Sequence, residues 1–313
     1  MSKIPWVEFY RPSSFDNIVL EDVNKILLEN ILKTSYFPHL LLYGPPGTGK
    51  TTTIINLINK YHQQKGITNK DLIIHLNASD ERGVDIIRNQ IYSFVNAKSF
   101  FREGMKFVIL DEVDYMTKNA QQALKYLLQS SNKNVRFCLI CNYISKIDEC
   151  LQNYFLKIRF NQLPKDNIKL FLKNIMDAES ISIKEELLDS IIEFFNSDLR
   201  SMINYIQSNE FDIKNNNDVN IITNETRASI LLQLTNNTQT INLDELIHNI
   251  CIKYKINKKD LIKDLLYYLI RNQKIEFTEK FLKFVENLIH SPNLNDELYT
   301  NYFLSRINQF EIV

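Results

Sequence analysis

Eight residues, Gly44 to Thr51, read GPPGTGKT and hold three of the chain's six glycines. They follow the apolar run HLLLY (39–43) and precede TTTIINLINKY, a helical pattern, so strand, loop and helix stand in register around GxxxxGK followed by Thr. Glycine lets a backbone curl until successive N–H groups face one point at a helix N-terminus, and that is how a chain cradles phosphate. Gly44, Pro45, Pro46, Gly47, Thr48, Gly49, Lys50, Thr51 and Thr52 are the expected cradle. In it Lys50 neutralises β- and γ-phosphate charge, and the Thr51 hydroxyl offers a magnesium position.

Sixty residues on, KFVILDEVD places two carboxylates at the end of an apolar strand. An acid there can hold magnesium, and the next can polarise an attacking water. Asp111 is the expected metal partner and Glu112 the expected base. The implied chemistry is hydrolysis of ATP or GTP coupled to movement.

The rest of the chain divides into two regimes. HLLLY (39–43), DLIIHLN (71–77), KFVILD (106–111), VRFCLIC (135–141) and LKIRF (156–160) alternate with helical patterns, which predicts an α/β domain with a five-stranded parallel sheet. From about Leu163 the pattern is helical throughout, with a polar joint at 209–225. All six glycines fall at or before Gly104, so later turns must use Asn, Asp, Ser and Pro.

Charge excludes a global basic field, because 37 Lys plus Arg balance 37 Asp plus Glu. Any contact with nucleic acid must be local. Cys138 and Cys141 form a CxxC, but inside an apolar strand and without a second pair they read as core thiols. The five histidines show no ligand spacing and receive no chemistry. MSKIPWVEFYRP lacks the apolar core of a signal peptide and no run approaches a membrane span, so the expectation is an intracellular protein.

Further strings fall in one order: PWVEFYRP (5–12), NASDERG (77–83), ILDEVDYMT (109–117), RFCLICNYISKI (136–147) and SDLRSMIN (197–204). With GPPGTGKT they closely resemble the small subunits of replication factor C, the sliding-clamp loader of the AAA+ ATPases, from Pro5 to about Asn204. The resemblance implies an AAA+ nucleotide-binding domain over 1–162, a small helical lid over 163–222 and an all-helical collar over 223–313. It also implies ATP and magnesium as cofactors, and partners in the other subunits of a five-membered ring, the clamp PCNA and primer-template DNA, in the nucleus.

Carried over by position, the resemblance puts Val7, Tyr10, Arg11 and Pro12 against adenine and the neighbouring phosphate. Asn142 becomes the sensor that orders the attacking water, and Arg200 reaches the γ-phosphate from the lid. Arg82, Arg88 and Lys146 match DNA-backbone contacts, within a segment where five basic residues face two acids between Arg82 and Lys106. Phe100 and Phe101 are candidates for touching the clamp and equally for the core.

The chain also departs from the family. Where small subunits carry Ser-Arg-Cys, whose arginine completes a neighbour's ATP site, this sequence has Asn153, Tyr154 and Phe155. Tyr154 cannot supply the charge. Lys157 and Arg159 lie nearby, expected on opposite faces of the strand, and neither matches the finger position. Lys125 and Tyr126 replace paired arginines, and Phe9 replaces a lysine. The lost finger leaves an alternative, a mainly structural ring component stabilised by ATP.

Overall fold

A computed structural model describes residues 4–67, 69–79, 87–97, 104–130, 134–214, 222, 224–236, 240–254, 256–290, 295–307 and 309–310. Five strands, β1 (Leu40–Tyr43), β2 (Ile73–Asn77), β3 (Lys106–Asp111), β4 (Val135–Cys141) and β5 (Leu156–Arg159), form one sheet in the order β2-β3-β4-β1-β5. Every pairing is parallel. Register sets Tyr43 opposite Cys141, and Asn77 opposite Asp111, so the strand ends that matter for chemistry line up along one edge of the sheet.

The apolar runs are continuous because both faces of the sheet are covered. Leu40, Leu42, Phe107, Ile109, Cys138 and Ile140 point to one core. Leu41, Val108, Leu110, Phe137, Leu139 and Cys141 point to the other. Helices α2 (Asp22–Thr34) and α3 (Lys50–Gln64) close the first face through Leu28, Leu32, Ile54 and Leu57. On the second face the short helix α4 (Tyr92–Asn96) supplies Val95, and α5 (Lys118–Ser130) supplies Ala120, Leu124 and Leu127. Both cysteines of the CxxC are core thiols, and burial pushes the Cys141 thiol up to about 12.

The chain begins with a single turn, α1 (Trp6–Phe9), and a short helix α6 (Glu149–Gln152) leads into β5. Beyond the sheet come α7 (Lys165–Ala178), α8 (Glu185–Phe195), α9 (Leu199–Ser208) and α10 (Glu210–Lys214). Five more follow: α11 (Asn224–Asn236), α12 (Thr240–Tyr254), α13 (Lys258–Arg271), α14 (Glu279–Ile289) and α15 (Asp296–Ile307).

Two compact units emerge, one made of 1–182 with 192–210 and one of 183–191 with 211–313. Helices α7 and α9 therefore group with the sheet. The second unit is mostly helical among the described residues and packs around Phe281, Phe284, Tyr299 and Phe303. Its buried Arg227 makes a forked pair with Asp264 at 2.8 and 3.2 Å. Without glycine, left-handed turn residues after Gly104 include Ser180 and Asn196, as the composition requires, and also Gln273.

Candidate functional site

The loop between β1 and α3 is built for close approach. Gly44 sits at φ 141°, and a Cβ there would lie 2.0 Å from the Phe160 carbonyl oxygen. At Gly47, φ 73°, a Cβ would lie 1.8 Å from Asp198 Oδ1. Asp198 is the N-cap of α9 and accepts the Ser201 N–H at 3.1 Å, so the missing side chain at 47 is what lets the start of α9 rest on the loop. Thr48 braces the loop from within, donating to the Pro45 carbonyl at 2.9 Å.

Lys50 opens α3 and its side chain turns back into the loop. Its Nζ donates to the carbonyls of Gly44 and Pro45 and to Asn142 Oδ1, at 2.8, 2.7 and 3.0 Å. Burial holds the ammonium below its ordinary value, opposed chiefly by the charge of Asp111. Thr51 Oγ1 donates to Asp111 Oδ2 at 2.6 Å, and the Glu112 N–H donates to Oδ1 at 2.9 Å. Burial pushes the Asp111 carboxyl up, but the His75 ring 3.9 Å away and the hydrogen bonds from Thr51 and the Glu112 N–H outweigh it and hold the group below the usual carboxylate range. Glu112 itself takes a left-handed backbone, φ 54°, a strained conformation for a residue with a Cβ.

These groups line a cleft of about 240 Å³ together with Val7, Tyr10, Arg11, Pro12 and Arg200. Arg11 Nε donates to Thr52 Oγ1 at 3.1 Å, which pins the N-terminal segment to α3. Arg200, exposed on the first turn of α9, faces the cleft from the far side. The sequence reading missed the apolar wall, made by Ile18, Val19, Phe171 and Ile203. It also missed Asp198, although an Asp before LRSM is a legible helix cap.

The donor set suits a nucleoside triphosphate. Positive φ at Gly44, Gly47 and Gly49 turns the backbone at the mouth of α3, and a buried ammonium stands beside an ionised carboxylate and a hydroxyl. Among the described residues no three His, Cys, Asp or Glu side chains gather into a protein-built metal site. Thr51 with Asp111 is the sparse set that magnesium uses when phosphate and water supply its other oxygens.

The remaining expected residues lie apart. Lys146 is exposed on a short turn after β4, its Nζ 5.2 Å from the ring centre of Tyr115 and 5.1 Å from that of Tyr143. Arg82, Phe100 and Phe101 lie outside the described residues, as does the side chain of Arg88. Tyr154 accepts a hydrogen bond from Gln129 Nε2 at 2.7 Å. Lys157 and Arg159 are both exposed on β5, and the expectation that they oppose each other is wrong: residues two apart on a strand share a face.

Fold and cleft together define an α/β domain with a phosphate-loop cleft, and residues 40–163 match the family described as "ATPase family associated with various cellular activities (AAA)". More narrowly, about two thirds of the chain is similar to replication factor C small subunits. Replication factor C subunit 5 of Homo sapiens is 38% identical over 205 residues, covering 66% of this chain and 60% of that protein. Subunit 3 of Saccharomyces cerevisiae is 37% identical over 205 residues, covering 66% and 59%. Small subunit 2 of Pyrobaculum islandicum is 43% identical over 208 residues, covering 66% and 64%. The match thus spans about 60% of the relatives' own length. In fold, the RuvB Holliday junction branch migration motor of Thermotoga maritima aligns with TM-score 0.57 and 16% identity, over 89% of this chain and 98% of that one. No described helix is long and apolar enough to cross a membrane.

Proposed function

We propose that this chain is an ATP-binding small subunit of a replication factor C clamp loader. In that role it opens and loads the sliding clamp PCNA onto primer-template DNA, in the nucleus, as one member of a hetero-pentamer. The observation that carries the reading is the convergence of Lys50, Thr51, Asp111, Glu112, Asn142 and Arg200 on one cleft of a domain whose relatives are clamp-loader subunits.

In this reading the base end of the nucleotide rests against Val7, Tyr10 and the apolar wall, and the backbone from Gly44 to Thr52 holds the phosphates. Bound ATP with magnesium supplies the phosphoryl bond whose hydrolysis powers the ring. Thr51 and Asp111 would hold the metal. Lys50 and Arg200 place positive charge at the phosphate end, one from the domain and one from the lid side. Glu112 takes a proton from water, and Asn142 orients that water while its Oδ1 steadies Lys50. The division into a nucleotide domain (1–162), lid (163–222) and collar (223–313) belongs to this proposal, as do Arg82, Arg88 and Lys146 as phosphate contacts.

Tyr154 gives a second reading some weight, because a chain that stabilises no neighbour's transition state could serve mainly as an ATP-stiffened ring component. Purifying the endogenous complex and identifying its subunits tests the main reading. Four related subunits and ATPase stimulated by clamp and DNA are expected, with Glu112→Gln lowering loading. A homohexamer of this chain would overturn it, and full loading by the Glu112→Gln complex would favour the structural role.

A further inference from the structure

We infer that Glu179 and Gln207 are positioning residues: they tie the N-terminal turn to the lid helices, so that filling the base end of the cleft fixes Arg200 at its phosphate end. The inference rests on the nucleotide reading of the cleft and adds residues that neither line it nor belong to its motifs.

The tie begins at α1. The Trp6 N–H, at the start of a helix and without an intrahelical partner, donates to Gln207 Oε1 at 3.0 Å. Four residues on, the Tyr10 hydroxyl donates to Glu179 Oε1 at 2.6 Å, a short charge-assisted bond. Burial, and then the Glu179 bond, push the Tyr10 hydroxyl up to about 12, so it remains a donor at neutral pH. Glu179 caps the C-terminal end of α7, and Gln207 lies on α9. The segment is thus clasped by both helices.

The opposite side of the same segment is anchored to α3. Arg11 Nε reaches Thr52 Oγ1 at 3.1 Å, and Asn56 Nδ2 donates to the Pro12 carbonyl at 2.7 Å. The N-terminal turn is therefore a strap between the phosphate-loop helix and the two lid helices, and it passes over the base end of the cleft.

Geometry carries the effect along α9. Arg200, Ile203 and Gln207 are spaced three and four apart, so they share one helix face. Arg200 and Ile203 of that face line the cleft, and Gln207 holds the strap. Any ligand that presses Tyr10 and Trp6 into place also sets the rotation of α9. Rotation of α9 sets where Arg200 points.

Trp6 is the chain's only tryptophan, 4% exposed, and so reports on the strap without a label. The test measures equilibrium binding of ATPγS and ADP to the full chain, with acrylamide quenching of Trp6, for wild type, Glu179→Leu, Glu179→Gln and Tyr10→Phe. Glu179→Leu should weaken ATPγS binding about ten- to hundredfold, the loss of one hydrogen bond to a charged group, change ADP binding less than twofold, and expose Trp6 to quencher. Glu179→Gln keeps an acceptor oxygen and should restore wild-type behaviour. In an Arg200→Ala background the Glu179→Leu effect should vanish. Equal losses for both nucleotides, additivity with Arg200→Ala, or no effect of either Glu179→Leu or Tyr10→Phe would overturn the inference. A wild-type chain that binds neither nucleotide would instead overturn the nucleotide reading.

Discussion

His39 accepts the Phe137 N–H through Nδ1 at 3.0 Å, a bond only the neutral ring can make. Burial, and then the Arg136 charge, lower its pKa to about 4 from an ordinary 6.5. As pH falls below 6.5 the unfolded chain takes up a proton that the native chain refuses until about 4, so stability is lost across that window and is unaffected above it. The loss is on the order of 2 kcal/mol. His62, lowered mainly by burial, adds in the same direction. Urea unfolding followed by Trp6 fluorescence at pH 7 and pH 4.5 checks this. His39→Gln, which keeps an acceptor oxygen, should flatten the pH dependence; an unchanged slope would contradict it. The sequence shows this histidine beside an apolar strand but not its partner, 98 residues away. Residues of the phosphate loop are legible because their chemistry is local to eight positions. Glu179, Gln207 and Asp198 act through contacts that form only when distant helices meet.

Among elements, strands read well where the sheet buries both faces. KFVILD and VRFCLIC match β3 and β4 residue for residue, whereas HLLLY, DLIIHLN and LKIRF overrun β1, β2 and β5 at their ends. Strand order was not legible, since parallel neighbours are joined through crossovers whose path no run reveals. In the turn from α6 into β5, where the resemblance to clamp-loader subunits would put an arginine, Gln129 holds the Tyr154 hydroxyl. That bond gives the tyrosine a place in its own domain instead of a reach beyond it. Under the proposed ring assembly, Tyr154→Arg frees Gln129 and supplies a cation, so a neighbouring subunit's ATPase should rise about tenfold or more. An unchanged rate would sink the finger argument.

At the scale of the molecule, the change in glycine usage after Gly104 foretold two regimes, but not where the compact units part. The helical unit beyond Phe211 was legible only as helices. Its packing depends on pairs such as Arg227 with Asp264, 37 residues apart, which periodicity cannot show. Everything proposed for the chain depends on the cleft holding a nucleoside triphosphate through Lys50. Titration calorimetry of ATP into the full chain with magnesium, for wild type and Lys50→Ala, measures this most directly. One ATP per wild-type chain is expected, with affinity weakened about 30- to 100-fold in the variant, the worth of charge-assisted hydrogen bonds to phosphate. Equal binding by both proteins, or none by wild type, would contradict it.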